Sequence, residues 1–61
     1  MPVVQVSTWA GMTQKNKKKV AEGITKVFEE LGIPKKGITI IINEVPKTNW
    51  VMGGILASEI T

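Results

Sequence analysis

A chain of 61 residues sits near the size at which one hydrophobic core barely offsets the entropy lost on folding, and it reads as one domain spanning residues 1–61. Cys and His are both absent, which excludes disulfide stapling and a Cys/His zinc site and leaves association of subunits as the route to stability. The net charge of +3, from 8 basic and 5 acidic residues, is mild, and the hydrophobic fraction of 43% is that of a globular protein.

Residues 3 to 9, Val-Val-Gln-Val-Ser-Thr-Trp, are rich in β-branched side chains and read as a strand. Its alternation puts Val4, Val6 and Thr8 on one face and Val3, Gln5, Ser7 and Trp9 on the other. Ala10, Gly11 and Met12 make a turn, and Thr13 is suited to cap the helix that follows. From about residue 14 to 31, Val20, Ile24, Val27, Phe28 and Leu31 recur at the spacing of one helical stripe. Lysines crowd the first turns and Glu29 and Glu30 the last, so the charges oppose the backbone dipole and stability must come from packing. Gly32 suits the left-handed position past the helix end, and Pro34 prevents continuation.

Residues 38 to 45 read as a second strand, with Ile38, Ile40 and Ile42 on one face and Thr39, Ile41 and Asn43 on the other. Two strands joined by a long helix predict a right-handed β-α-β unit with parallel strands. The helix covers one sheet face, so Val3 and Ile41 on the other call for a second covering surface, which another subunit can supply. Such a two-strand unit is half of a four-stranded sheet that a dimer would complete. In the tail, Gly53-Gly54 signals a tight turn or hairpin, and residues 55 to 60 fit a short strand or a helical turn.

No stretch approaches the roughly 20 apolar residues that cross a bilayer, and no basic-then-apolar leader opens the chain; a cytoplasmic protein without a membrane partner is the expectation. Lys15, Lys17, Lys18 and Lys19 read as a solvated helix face, since no stacking motif or recognition helix accompanies them, and no nucleic-acid partner is expected.

Without His or Cys the usual bases and nucleophiles at neutral pH are missing, and no phosphate-binding loop or paired metal ligands appear. What stands out is Met1-Pro2 ahead of an apolar strand, because a small second residue permits removal of the initiator methionine. Proline would then carry a free secondary amine, and an α-amino group titrates near 7.7 to 8.0, lower when desolvated, so it can act as a general base. Trp9 and Trp50 are candidates to wall an apolar pocket around it.

Pro2-Val3-Val4-Gln5-Val6, Gly11 before a lysine-rich helix, Leu31-Gly32-Ile33-Pro34, the strand ending in Asn43-Glu44-Val45-Pro46, and Lys47-Thr48-Asn49-Trp50-Val51-Met52-Gly53-Gly54 together resemble the 4-oxalocrotonate tautomerase family over nearly the whole chain. The resemblance implies an α+β fold: a β-α-β subunit with a short C-terminal hairpin, dimers forming four-stranded sheets, and a homohexamer built as a trimer of dimers. It implies sites made from more than one subunit and no cofactor, organic or metal. It also implies enol–keto proton transfer on a 2-oxo acid or related carbonyl compound, with Pro2 as the general base and Trp50 at the family's aromatic site position.

Two positions depart from the pattern. Met12 stands where the family commonly has an arginine after the glycine, and Thr39 where it has one in the second strand. Neither can grip a carboxylate by bidentate hydrogen bonding, so turnover of a dicarboxylate is in question. Met12, Thr39, Trp9 and Trp50 are the candidate substrate-binding residues, and Lys36 and Lys47 are the nearest cations that could replace the guanidinium groups. The loss of both arginines also motivates an alternative, a non-catalytic subunit paired with an arginine-bearing chain in a mixed hexamer. Glu44, a lone carboxylate, reads as a surface or interface residue.

Overall fold

The computed structural model describes residues 1–60. In chain order the elements are β1 (Val3–Trp9), α1 (Gln14–Glu30), β2 (Thr39–Val45), β3 (Val51–Met52), β4 (Ile55–Leu56) and α2 (Ala57–Ile60), with single 3-10 turns at Lys35–Gly37 and Lys47–Asn49. β1 and β2 pair in parallel from Val3 opposite Thr39 to Trp9 opposite Val45, and α1 is the crossover between them. The predicted β-α-β unit is therefore the body of the fold.

Local chemistry sets the boundaries. The Thr13 hydroxyl accepts the Asn16 N–H at 3.1 Å, satisfying one of the orphan donors at the start of α1. At its other end the helix stops at Glu30, one residue short of the sequence expectation. Leu31 is the cap, Gly32 takes φ 90°, and the Ile33 N–H reaches back to the Phe28 carbonyl at 3.2 Å, a Schellman ending. β2 likewise begins one residue late, because the Ile38 N–H is spent closing the Lys35–Gly37 turn on the Lys35 carbonyl at 3.0 Å.

Val4, Val6 and Thr8 on β1 and Ile40 and Ile42 on β2 are half-buried on the helix-facing side, while Val3, Gln5, Ser7, Thr39, Ile41 and Asn43 are exposed on the other. The helical stripe is narrower than predicted. Val20, Ile24 and Phe28 are half-buried, but Val27 and Leu31 are 55% and 71% exposed. Two strands about 4.8 Å apart offer too little width to cover a helix roughly 10 Å across.

The Gly53-Gly54 hairpin forms as expected, with φ of 60° and 80° between the paired residues Met52 and Ile55. Residues 55 to 60 are both of the things foreseen, a two-residue strand followed by a helical turn. This arm packs chiefly on the Lys47–Asn49 turn, and the Ala57 N–H donates to the Trp50 carbonyl at 2.7 Å.

The chain is extended. Its radius of gyration is 14.5 Å, against roughly 10.5 Å for a compact domain of this length. It exposes 4690 Å², where a compact monomer of its mass would expose about 3,900 Å². Ala57 alone among the described residues is fully buried, and Val3, Ile41, Val51, Met52 and Ile55 lie open. Open apolar surface on this scale, with so little core, is characteristic of protein–protein contact surfaces. No helix among the described residues is long and apolar enough to cross a membrane.

Candidate active site

The five predicted site residues fall at two ends of the sheet. At the first end Pro2 is half-buried immediately before β1, and its carbonyl accepts the Thr39 N–H at 3.1 Å. This bond fixes Pro2 beside Thr39, which lies exposed on the sheet face away from the helix. Met1, by contrast, is 97% exposed.

At the second end β1 finishes in Trp9, and the chain returns from β2 to bring Trp50 against it. The two indole rings meet edge to face, with centroids 6.1 Å apart and planes at 78°. Lys47 lays its ammonium 4.6 Å from the Trp9 ring centroid, a cation–π contact. The Trp9 Nε1–H is shielded from solvent and has no acceptor among the described residues, a loss of about 1–3 kcal/mol for a donor left unsatisfied. Backbone bonds hold Trp50 in place, since its N–H donates to the Lys47 carbonyl at 3.3 Å and its carbonyl accepts from Ala57.

Met12 belongs to this second end. Its N–H donates to Glu44 Oε1 at 3.1 Å, while Lys17 Nζ pairs with Oε2 of the same carboxylate at 3.0 Å. Glu44 thereby ties the loop before α1 to both the helix and the end of β2. The hydrogen bond from Lys17, the charge of that ammonium, and the backbone N–H groups of Met12 and Gly11 hold the Glu44 carboxyl below its ordinary 4.5, against an opposing push from burial. With its folded value depressed, the contribution of Glu44 is complete above pH 4.5 and is lost as pH falls through that lower folded value. Amide exchange at Met12, normalised to Asn16, should accelerate below pH 4.5, and Glu44→Gln should show the fast ratio at every pH.

The expected pocket, with both tryptophans walling Pro2, does not form within one chain. Trp9 lies at the far end of the 7-residue strand that follows Pro2, roughly 23 Å away at the usual rise per residue. A parallel β-α-β unit has no turn that could fold that distance back. The cleft lined by Ala21, Glu22, Thr25, Glu29 and Lys35 contains none of the predicted residues. Pro2 and Thr39 thus lie at one end of the sheet, and Trp9, Trp50 and Met12 at the other.

A family model of tautomerase enzymes matches residues 2–59. The chain belongs to the tautomerase family. It is 34% identical to the 2-hydroxymuconate tautomerase of Comamonas testosteroni over 98% of this chain and 97% of that protein. Among solved structures it superposes on a 4-oxalocrotonate tautomerase isozyme from Methylibium petroleiphilum with a TM-score of 0.89, at 35% identity over 97% of each chain. The heterohexameric 4-oxalocrotonate tautomerase of Chloroflexus aurantiacus superposes with a TM-score of 0.88 at 26% identity, covering 100% of both chains. The tautomerase fold thus extends over both ends of the sheet and the C-terminal arm.

Two features of this tautomerase chain escape a reading of its sequence. Glu44 gains its partners at Met12 and Lys17 because the parallel register sets it opposite Thr8, where β1 is about to enter the loop. Lys47 was one of two candidate cations, and nothing in its spacing announces that it, and not Lys36, lies on a tryptophan.

Proposed function

We propose that this tautomerase interconverts the enol and keto forms of a 2-oxo acid or related carbonyl compound, with the Pro2 amine as general base after removal of Met1. The exposure of Met1 supports its removal, and the bond from Thr39 supports a fixed position for the amine thus released. The neutral secondary amine takes the enol hydroxyl proton as the C–O bond becomes C=O. The displaced π electrons form a C–H bond at the far end of the conjugated system, using the proton that the ammonium returns. Nothing is oxidised or reduced, so residues that bind, orient and exclude water suffice.

The observation that carries this reading is the division of the site into two complementary halves at opposite ends of the sheet. A second copy placing its Trp50 end against the first copy's Pro2 end brings base, aromatic wall, Thr39 and Met12 together. The open apolar face at Val3 and Ile41 and the projecting hairpin supply surfaces for such an assembly, which we take to be a homohexamer formed as a trimer of dimers. Apolar walls then keep water from the amine and disfavour its charged form, leaving it free to accept a proton near neutrality.

Ketonisation of phenylenolpyruvate and 2-hydroxymuconate, followed by enol absorbance, tests the proposal. Pro2→Ala leaves a primary amine without the ring that aims it, and its kcat/KM should fall at least about tenfold, short of the full 10²–10⁴ that a positioned base contributes. Equal rates would remove Pro2 from the mechanism.

A further inference from the structure

The family's two arginine positions hold Met12 and Thr39, so the assembled site has lost both groups that would grip a carboxylate. Of the two lysines nearest in sequence, Lys36 is exposed in the turn before β2, without an aromatic or acidic contact among the described residues. Lys47 differs in its burial and in its ring contact. It is half-buried, it rests on the Trp9 ring, and it has no carboxylate partner among the described residues, whereas Lys17 is paired with Glu44. Through the bond from the Trp50 N–H to its carbonyl, it is also fixed in the same turn as Trp50. Wherever Trp50 is carried by assembly, Lys47 goes with it.

We infer that Lys47 is the carboxylate anchor of this site, and that the ligand it selects is a planar, conjugated enol acid bearing a single carboxylate. The inference rests on the reading that Trp50 of one copy stands beside Pro2 of another. The chemistry is that of an ammonium held on the Trp9 indole face. Trp9 displaces water from one side of the charge, which strengthens its attraction for an anion, and Trp50, edge to face with it, adds apolar surface for the ligand's conjugated carbons. A lysine supplies a compact point charge without the fork of a guanidinium, so it holds a carboxylate without dictating its plane. One such cation on the cluster matches one carboxylate. The second carboxylate of a dienol diacid would meet Met12 and Thr39, neither of which carries a charge.

Calorimetry on the native assembly, with cinnamate and cinnamamide as unreactive probes, separates this inference from the catalytic one. The native protein should bind cinnamate roughly tenfold or more tightly than the amide, as expected for a hydrogen bond to a charged group. Lys47→Gln and Lys47→Met should each erase that preference, Lys47→Arg should keep it, and so should Lys36→Gln and Pro2→Ala. The KM for phenylenolpyruvate should rise by a similar factor in Lys47→Gln, while Pro2→Ala acts on kcat. Equal affinities for the two probes in the native protein, or a preference that survives in either neutral variant at position 47, would overturn the assignment. If the preference behaves as expected while Pro2→Ala leaves turnover untouched, the anchor stands and the base falls.

Discussion

A protein that retains one residue ahead of Pro2 should be inactive in enol ketonisation. The preceding residue turns the ring nitrogen into an amide, whose lone pair is delocalised into the carbonyl and takes no proton near neutrality. Pro2→Ala only misplaces an amine, but this change removes it, so the loss should reach the whole 10²–10⁴-fold that general-base catalysis supplies. The fold has no reason to suffer. Met1 is 97% exposed and the Pro2 carbonyl keeps its bond to Thr39 whether or not a residue precedes it. Mass spectrometry identifies the processed and extended forms, light scattering shows that both assemble, and the rate is measured on each. An extended chain that turns over enol as fast as the processed one would dismiss the amine as the base.

Ile41→Glu should break the assembly and abolish turnover along with it. Ile41 is 42% exposed in the isolated chain, opposite Gln5 on the face that the helix leaves uncovered. On an exposed strand position a carboxylate costs the single chain little, within about 0.5 kcal/mol for an ordinary surface substitution. Buried against a second copy without a partner, the same charge carries a penalty of several kcal/mol, enough to shift the oligomer toward its parts. Since Pro2 and Trp50 lie at opposite ends of the sheet in one chain, separated subunits hold only half-sites. Light scattering and the ketonisation rate should therefore fall together, while Lys19→Glu, which changes charge on the solvated face of the helix, should alter neither. An Ile41→Glu protein that remains assembled and active would place the interface elsewhere.

Much of the fold was legible because each element carries its own punctuation. Thr13, Gly32 and Gly53-Gly54 act through bonds or backbone angles that involve only a few neighbouring residues, and all three behave as read. The alternation of β1 and β2 was equally plain, since it follows from strand geometry alone. The helical stripe was misjudged at Val27 and Leu31 because their exposure depends on how much sheet lies beneath them, and two strands supply too little. The sequence names candidate site residues, but their spacing does not say which end of the sheet each one occupies. Pro2, Thr39, Met12, Trp9 and Trp50 were named together, yet the extended strand parts them.

By itself the sequence determined the β-α-β order, the hairpin, the face of each strand and the absence of any His or Cys from the chemistry, because these follow from residue types and short-range spacing. Only the tertiary structure decided that the chain is too open to complete a core and that its candidate residues fall at opposite ends of the sheet. It alone put Lys47, and not Lys36, on the Trp9 ring, and gave Glu44 the Met12 loop to hold. Those outcomes depend on the register of two strands and the return of a distant segment, and no local pattern encodes where such a segment comes to rest.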